Sequence, residues 1–182
     1  KILRVTDTGA AAAGNPFNNR VWSYGHRNPQ GLAWNGTTLY ATEHGPSQPS
    51  CCDELNRIEA GKNYGWPDVK GDETKAGTEK NLINSGQDGN NTWAPSGTTF
   101  YNGSVFMSGL RGQALYEFTV QGTSATLKAS HFKNQVGRIR DVVVGPDNML
   151  YIATGNKSAQ GGSAKPEDDK ILKVAFAGVG GV

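Results

Sequence analysis

Short apolar runs separated by turn residues extend along almost the whole chain. The runs are rich in β-branched and aromatic residues and end at glycine, asparagine, aspartate or proline, a pattern typical of β-strands. They predict strands at Lys1–Val5, Gly31–Trp34, Leu39–Thr42, Glu54–Ile58, Gly97–Tyr101, Ser104–Met107, Ala114–Thr119, Arg140–Val144, Leu150–Thr154 and Lys170–Phe176. No window of about ten or more residues carries the 3.6-residue spacing of an amphipathic helix. The pattern therefore predicts an all-β chain.

A repeated unit is visible within this strand pattern. Each copy has a strand, a tight turn and a second strand that contains a Leu-Tyr or Val-Phe pair. The pairs stand at 39–40, 105–106 and 150–151, and the longer first interval reflects an insertion with loop composition at 63–91. Units of about 40–50 residues that each form a small antiparallel sheet are the signature of a β-propeller.

The expected architecture is a β-propeller of four-stranded antiparallel blades. The three units account for about three blades over residues 1–176, and residues 177–182 form a tail. Propellers typically close a ring of about 4–8 blades, so three blades predict that the chain is part of a larger propeller. The similarity between KILRV at 1–5 and KILKV at 170–174 supports this, because it places the first residues on the last strand of a preceding blade.

Composition narrows the class of function. The 182 residues carry a net charge of +2 and 19% charged residues, so there is no electrostatic case for nucleic-acid binding. No apolar run approaches the roughly 18 residues that a membrane helix needs, so no membrane span is predicted.

Polar side chains concentrate between residues 24 and 67. Arginine, asparagine, glutamine, histidine, aspartate and glutamate alternate there with glycines, prolines and aromatic residues. Polar groups held on turns of a rigid β scaffold are typical of a binding or catalytic site. This stretch is therefore the candidate site.

Five motifs, in this order, resemble the soluble quinoprotein glucose/sorbosone dehydrogenase family, of the aldose sugar dehydrogenase kind. They are GHRNPQGL at 25–32, EHGP at 43–46, DELNxIxxGxNYGWP at 53–67, APSG at 94–97 and GRIRDV at 137–142. The resemblance covers nearly the whole chain. It implies the C-terminal half of a six-bladed propeller, with the N-terminal half of the same propeller as partner.

The resemblance also implies an activity. Members of the family depend on pyrroloquinoline quinone (PQQ) and calcium, and oxidise an aldose sugar substrate at C1 with hydride transfer to PQQ. A periplasmic or secreted location follows from the same resemblance.

Four arginines are candidates to bind the cofactor. PQQ is a planar tricarboxylate, and the planar fork of arginine, which stays protonated, bonds carboxylates in two places. The resemblance implies that Arg27 and Asn28 contact the quinone side of PQQ and that Thr92 contacts its edge. It implies that the carboxylates of PQQ are bound by Arg111, Arg138 and Arg140.

The positions of the arginines add a geometric expectation. Each is expected just before or on an inner strand of a blade, and Arg138 and Arg140, two apart on a strand, are expected to share a face. Two like charges on one face favour an anion between them. The alternatives are structural: Arg27 and Asn28 could cap a turn, and Arg138 and Arg140 could form salt bridges with Asp141 and with glutamates.

Two calcium sites are implied by the resemblance. Calcium takes about six to eight oxygen ligands, including backbone carbonyls that a turn points inward. Gly45-Pro46 matches the turn whose carbonyls hold the catalytic ion, and a second, structural site would use the Glu54 carboxylate and the Tyr64 carbonyl. Without the resemblance, Asp53 and Glu54 could be a solvated strand end.

The catalytic base is expected outside this chain. In the implied reaction a histidine takes the hydroxyl proton of the sugar. None of His26, His44 and His131 matches the family base, which lies upstream of Lys1. We expect His26 to support its loop, His44 to stand behind the site and His131 to lie on the surface. The chain alone is therefore expected to be inactive.

Cys51 and Cys52 are the two cysteines of the chain, and they are adjacent. Neighbouring Cα atoms are ~3.8 Å apart, below the ~4.4–6.8 Å that disulfides usually span. A disulfide between them near the cofactor is one hypothesis, and two packed thiols are the other.

Two other functions are compatible with a propeller. One is a non-catalytic propeller that binds a glycan or a protein partner. The other is a lactonase-type calcium propeller. The four arginines together with EHGP favour the dehydrogenase, because neither alternative needs a binding site for a tricarboxylate.

Overall fold

The structure, a computed structural model, describes residues 1–47, 51–86, 91–157 and 164–176. These residues form β-strands and connecting turns, without a helix. The strands are β1 Ile2–Leu3, β2 Val21–Ser23, β3 Pro29–Asn35, β4 Thr38–Glu43, β5 Glu54–Ile58, β6 Ile83–Asn84, β7 Pro95–Tyr101, β8 Ser104–Gly109, β9 Ala114–Gln121, β10 Ser124–His131, β11 Ile139–Val144, β12 Leu150–Thr154 and β13 Ile171–Val174. The predicted tail at 177–182 lies outside the described residues.

Consecutive strands pair into antiparallel sheets. The order is β3-β4-β5-β6 in the first large sheet, β7-β8-β9-β10 in the second and β11-β12-β13 in the third, while β1 pairs with β2. The first strands of the three large sheets lie side by side, with β7 in contact with both β3 and β11. Sheets that meet through their first strands in chain order are arranged as neighbouring propeller blades.

Glycines allow the inner strands to approach one another closely. A Cβ atom at Gly31 would overlap Thr98 and the Ser96 carbonyl of β7, and one at Gly97 would overlap the Asp141 carboxylate of β11. Because these contacts join residues near the start of each strand, β3, β7 and β11 begin at the same end of the molecule.

The core lies between neighbouring sheets, and strand alternation explains how the second sheet serves both interfaces. Val105 and Met107 of β8 pack toward the first sheet, whereas Phe106 between them packs toward the third. On β9, Tyr116 and Leu115 divide in the same way. Every residue of β8 is consequently buried, as expected for a strand covered on both faces.

The strand predictions were correct for most elements, and β5 and β12 have the predicted bounds. Three strands were missed: β2, β6 and β10. β10 is an outermost strand with Ala125 as its single buried position, so its sequence lacks a clear apolar alternation. The third sheet has three strands in the described part of the chain, one fewer than the four predicted for each blade.

Candidate cofactor and metal site

The candidate residues gather at the end of the sheets where β3, β7 and β11 begin. Arg27 and Asn28 directly precede β3, Thr92 lies shortly before β7, and Arg138 directly precedes β11. Because the sheets are antiparallel, the β4–β5 and β8–β9 connections return to the same end. These connections carry the Gly45-Pro46 turn and Arg111.

Arg27 and Asn28 are fixed by the end of β4. The Arg27 guanidinium donates a hydrogen bond to the His44 carbonyl (3.2 Å) and stands 5.5 Å from the centre of the Trp66 ring. The Asn28 carbonyl accepts from the His44 amide at 3.1 Å. The turn-capping alternative is thus partly right, since Arg27 does bond a turn carbonyl. In the described residues Arg27 forms no ion pair with a carboxylate.

Arg138 and Arg140 are also without a carboxylate partner in the described ranges. The Nε atom of Arg138 is buried and has no hydrogen-bond partner there. Burial lowers the pKa of Arg138, and the neighbouring Arg140 charge lowers it further. Asp141, the alternative partner, instead accepts from the Val142 amide at 2.9 Å and packs against Gly97. The salt-bridge alternative is therefore not what the structure shows.

Two details of the arginine prediction were wrong, although Arg138 directly precedes an inner strand as expected. The register shift between Ile139 and Asp141 puts Arg140 at a β-bulge. Simple alternation along a strand therefore does not describe this pair. Arg111 lies in the β8–β9 turn and not at an inner strand. It reaches the same end of the molecule because that turn folds back there.

Arg111 and Thr92 line an open cavity of about 150 Å³. The cavity also meets the Gly45-Pro46 turn and Cys51, and its lining residues are His44, Gly45, Pro46, Ser47, Cys51, Asp53, Thr92, Ala94 and Arg111. Residues from the first and second sheets thus share one opening.

All four predicted metal ligands surround a second, much smaller cavity. Gly45, Pro46, Glu54 and Tyr64 line a space of about 10 Å³, which is about enough for one water-sized occupant. The sequence interpretation divided these residues between two ions. All four line this cavity, and Gly45 and Pro46 also line the larger one. Gly45 must be glycine, because a Cβ there would overlap the Cys51 carbonyl.

Glu54 carries a charge that its surroundings oppose. Burial, reinforced by the nearby Glu43 charge, raises the pKa of Glu54 from 4.5 to about 7. Its oxygens accept from the Gly71 amide (2.7 Å) and from the Asn56 side chain (3.2 Å). No group of three or more His, Cys, Asp or Glu side chains that could hold a metal occurs in the described residues. The cavity is also lined by Glu43 and by the cationic side chains Arg27 and Lys70, so a cation here would depend on two carboxylates and on backbone carbonyls.

Tyr64 contributes to this cavity wall as a fixed, neutral side chain. Its hydroxyl donates to the Arg57 carbonyl (2.6 Å) and accepts from the Glu59 amide (3.0 Å), while its ring stacks on His26 with centroids 4.4 Å apart. Burial raises the pKa of Tyr64 to about 12. The side chain is thus committed to packing, which leaves the carbonyl as the group available to a cation.

Two buried carboxylates that the sequence interpretation left without a role connect these loops. Glu43 and Asp53 are each 4% exposed. Asp53 is therefore not a solvated strand end, because its carboxylate accepts backbone N–H groups inside the protein. Both residues stand within the motifs EHGP and DELN, so the signal was in the sequence, but their partners lie far along the chain.

The comparison with known families follows from this geometry. The family model described as "Glucose / Sorbosone dehydrogenase" matches residues 1–163. The chain belongs to the glucose/sorbosone dehydrogenase family. The resemblance carried by the five motifs is thereby confirmed.

Relatives within the glucose/sorbosone dehydrogenase family agree in fold. The chain is 34% identical to the aldose sugar dehydrogenase YliI of Escherichia coli over 88% of its own length and 49% of that protein. It is similar to the PQQ-bound aldose sugar dehydrogenase structure from Streptomyces coelicolor, with 41% identity and a TM-score of 0.85, covering 95% of this chain and 51% of that one. It is also similar to the structure of an oxidoreductase from Thermus thermophilus described as a glucose dehydrogenase. The identity is 39% and the TM-score 0.81, and the match covers 95% of this chain and 54% of that one.

The chain spans about half the length of the relatives it matches. Its all-β, antiparallel blades and these neighbours confirm the predicted propeller class. No helix in residues 1–47, 51–86, 91–157 and 164–176 is long and apolar enough to cross a membrane.

The three histidines of this family member each have a structural partner. His26 is buried between Ser23 (2.8 Å) and Glu43 (3.1 Å), and His44 contacts the Pro95 carbonyl through Nε2 (2.6 Å). Ser23, His26 and Glu43 have the order of a nucleophile, base and acid, but Ser23 is 0% exposed and no substrate can reach it. His131 was expected on the surface; it is partly buried against Phe106 and contacts Glu117 at 2.9 Å.

Cys51 and Cys52 are joined as a disulfide, and both are buried. The Cys51 amide donates to the Pro46 carbonyl at 3.1 Å, so the pair is tied to the candidate metal turn. Cys52 lines the small cavity and Cys51 lines the larger one.

We expect the purified chain to contain this disulfide. Its intact mass, measured after unfolding, should increase by two hydrogens when a dithiol reductant is added, because thiol–disulfide exchange opens the bond. The Cys51→Ser variant should show no such increase. An unchanged mass for the native chain would leave two packed thiols as the correct interpretation.

Proposed function

We propose that this chain supplies the cofactor-binding part of a PQQ- and calcium-dependent aldose dehydrogenase. When bound, PQQ supplies the hydride acceptor for oxidation of the sugar at C1. The observation that carries the proposal is the set of arginines without carboxylate partners, above all the buried Nε of Arg138. A buried donor with no partner is costly unless a ligand satisfies it.

The residue types suit the charge of the cofactor. Arg111, Arg138 and Arg140 would bind its carboxylates, with Arg27, Asn28 and Thr92 at the quinone ring. The Arg140 charge disfavours the charge of Arg138, and an anion bound between the two side chains would attract both and offset their repulsion. The proximity of Trp66 to Arg27 adds an aromatic surface at the same place.

Calcium is proposed for the small cavity. The carbonyls of Gly45, Pro46 and Tyr64 and the carboxylate of Glu54 are hard oxygen donors of the kind calcium prefers. The raised pKa of Glu54 supports this, because a carboxylate buried among other carboxylates lacks a positive partner. The cation would hold the turn at the cofactor and polarise a carbonyl bound there.

The remaining machinery is proposed to lie in the N-terminal half of the propeller. None of the histidines described above is free to take the sugar proton, so sugar-dependent dye reduction by this chain alone, with PQQ and calcium, would contradict the proposal.

The sheet faces at both ends are apolar and exposed, with Trp34 at 59% and Ile171 at 79%. We propose that the missing blades cover these faces. An extracytoplasmic location is proposed from the family alone, and a cytoplasmic pool of the protein on cell fractionation would contradict it.

A thermal-shift panel separates this function from a glycan-binding propeller. PQQ with calcium should raise the melting temperature, because a ligand that binds only the folded state stabilises it. A panel of mono- and oligosaccharides without PQQ should not. Stabilisation by a saccharide and indifference to PQQ would favour the non-catalytic propeller.

A further inference from the structure

The carboxylate of Glu43 collects four polar contacts. It stands at the last residue of β4 and accepts from the backbone amides of Arg27 (2.9 Å) and Asn28 (3.3 Å) through Oε2. Its Oε1 accepts from the Asn56 side chain at 2.9 Å and pairs with His26 Nδ1 at 3.1 Å. A single buried side chain thus fixes the loop that precedes β3.

The carboxylate of Asp53 does the same for two other loops. Its Oδ1 accepts from the Gly45 amide at 3.0 Å, and its Oδ2 accepts from the amides of Trp93 and Ala94, both at 2.8 Å. Asp53 is itself held by Ser85, whose side chain accepts from the Asp53 amide at 3.0 Å. Asp53 therefore connects the turn after β4 to the segment that precedes β7 of the next sheet.

The chemistry of these contacts suits a positioning role. Hydrogen bonds to an ionised carboxylate are roughly twice as strong as those between neutral groups. All five amides lie outside the strands, so no sheet ladder fixes them. The loops held in this way carry Arg27, Asn28, Gly45 and, one residue before Trp93, Thr92. In the described residues, neither carboxylate is paired with a lysine or an arginine.

We propose that Glu43 and Asp53 are the positioning residues of the cofactor site. They set the spacing between three loops of two adjacent blades by binding backbone N–H groups. This role rests on the proposed function in one respect: the loops they hold are the ones assigned to PQQ and calcium.

Residue-resolved amide hydrogen exchange by NMR tests the holding role in the absence of a ligand. In the native chain the amides of Arg27, Asn28, Gly45, Trp93 and Ala94 should be protected to the level of strand amides. Asp53→Asn places an NH₂ group against backbone donors, so exchange should accelerate about 10- to 100-fold at Gly45, Trp93 and Ala94 only. Glu43→Gln should accelerate exchange at Arg27 and Asn28 only.

The matched control is Glu117→Gln. Glu117 is also a buried carboxylate, at 7% exposure, but it binds Ser104, Lys128 and His131 on the second sheet. Its variant should leave all five loop amides protected. PQQ affinity, measured with calcium, should fall about tenfold in the Glu43 and Asp53 variants and stay unchanged in the control.

Each outcome decides a different point. Fast exchange at the five amides in the native chain overturns the holding role, and this judgement needs no variant to fold. Uniform acceleration in variants that remain folded overturns it as well. Local acceleration with unchanged PQQ affinity overturns the positioning role. Absence of PQQ binding to the native chain, with the local exchange pattern intact, refutes the proposed function and leaves the holding of the loops standing.

Discussion

Replacing Arg138 with alanine is expected to weaken PQQ binding about 100-fold, because removing one member of a desolvated charge pair costs several kcal/mol. The Arg138 Nε is buried without a partner, and Arg140 repels its charge, so the ligand-free protein gains little from this side chain. The free energy of unfolding without ligand should therefore be no lower than that of the native chain. Calorimetric titration and denaturant unfolding measure the two quantities.

Lys128→Ala is the control for Arg138→Ala. Lys128 lies on β10, the outermost strand of the second sheet, and its ion pair with Glu117 is solvent-exposed on the lysine side. Removing this charge should leave PQQ affinity unchanged. If Arg138→Ala binds PQQ as well as the native chain, or if it unfolds the ligand-free protein, Arg138 is a structural residue and not a cofactor ligand.

The Glu54→Gln variant is expected to be more stable than the native chain without calcium and less stable than the native chain with calcium. The folded-state pKa of Glu54 is about 7, above its ordinary value of 4.5, so the folded chain binds this proton more tightly than the unfolded chain. The contribution of Glu54 to stability is therefore greatest below about pH 4.5 and falls as the pH rises toward about 7. In chelator at pH 8, Glu54→Gln should be more stable than the native chain by up to about 3 kcal/mol.

Calcium should change this result. A cation bound by the Glu54 carboxylate compensates the buried charge and stabilises the native chain by about 4.1 kcal/mol at a concentration about 1,000 times its dissociation constant, which exceeds the advantage of the variant in chelator. The glutamine variant loses most of that gain. Urea unfolding at pH 5 and pH 8, with calcium and with chelator, gives the comparison. Glu79 is half-exposed and pairs with Lys62, so the control variant Glu79→Gln should keep the same order of stability relative to the native chain with and without calcium.

A Glu54→Gln variant that is equally destabilised in all four conditions would contradict both points. It would mean that the carboxylate is neither opposed by its surroundings nor a cation ligand, and that its bonds to Gly71 and Asn56 are its whole contribution.

Much of the fold could be predicted because strand signals are local. β12 was predicted with the correct bounds, since its buried positions Leu150, Ile152 and Thr154 alternate along the strand. β5 was also predicted correctly, because its apolar positions lie between the turn residues Asp53 and Gly61. β10 was not, because an outermost strand buries only Ala125 and its polar sequence resembles a loop. The register shift at Arg140 was also invisible, since a β-bulge depends on the pairing partner.

The candidate site was predictable as residue types and not as geometry. The arginines and the Gly45-Pro46 turn were identified from their motifs, but the convergence of Glu54, Tyr64 and this turn on one small cavity depends on how distant segments pack. Asp53 shows the limit most clearly. Its partners Trp93 and Ala94 are about forty positions away, so no local pattern could reveal that it holds a loop of the next blade.

The most direct test of the central claim is a calorimetric titration of the chain with PQQ, first in calcium and then in chelator. Arginines that bind the carboxylates and a turn that holds calcium beside them predict saturable binding that the chelator weakens at least about tenfold. A folded chain that shows no binding in calcium, or identical binding in calcium and chelator, would contradict the claim that these loops form a calcium-dependent PQQ site.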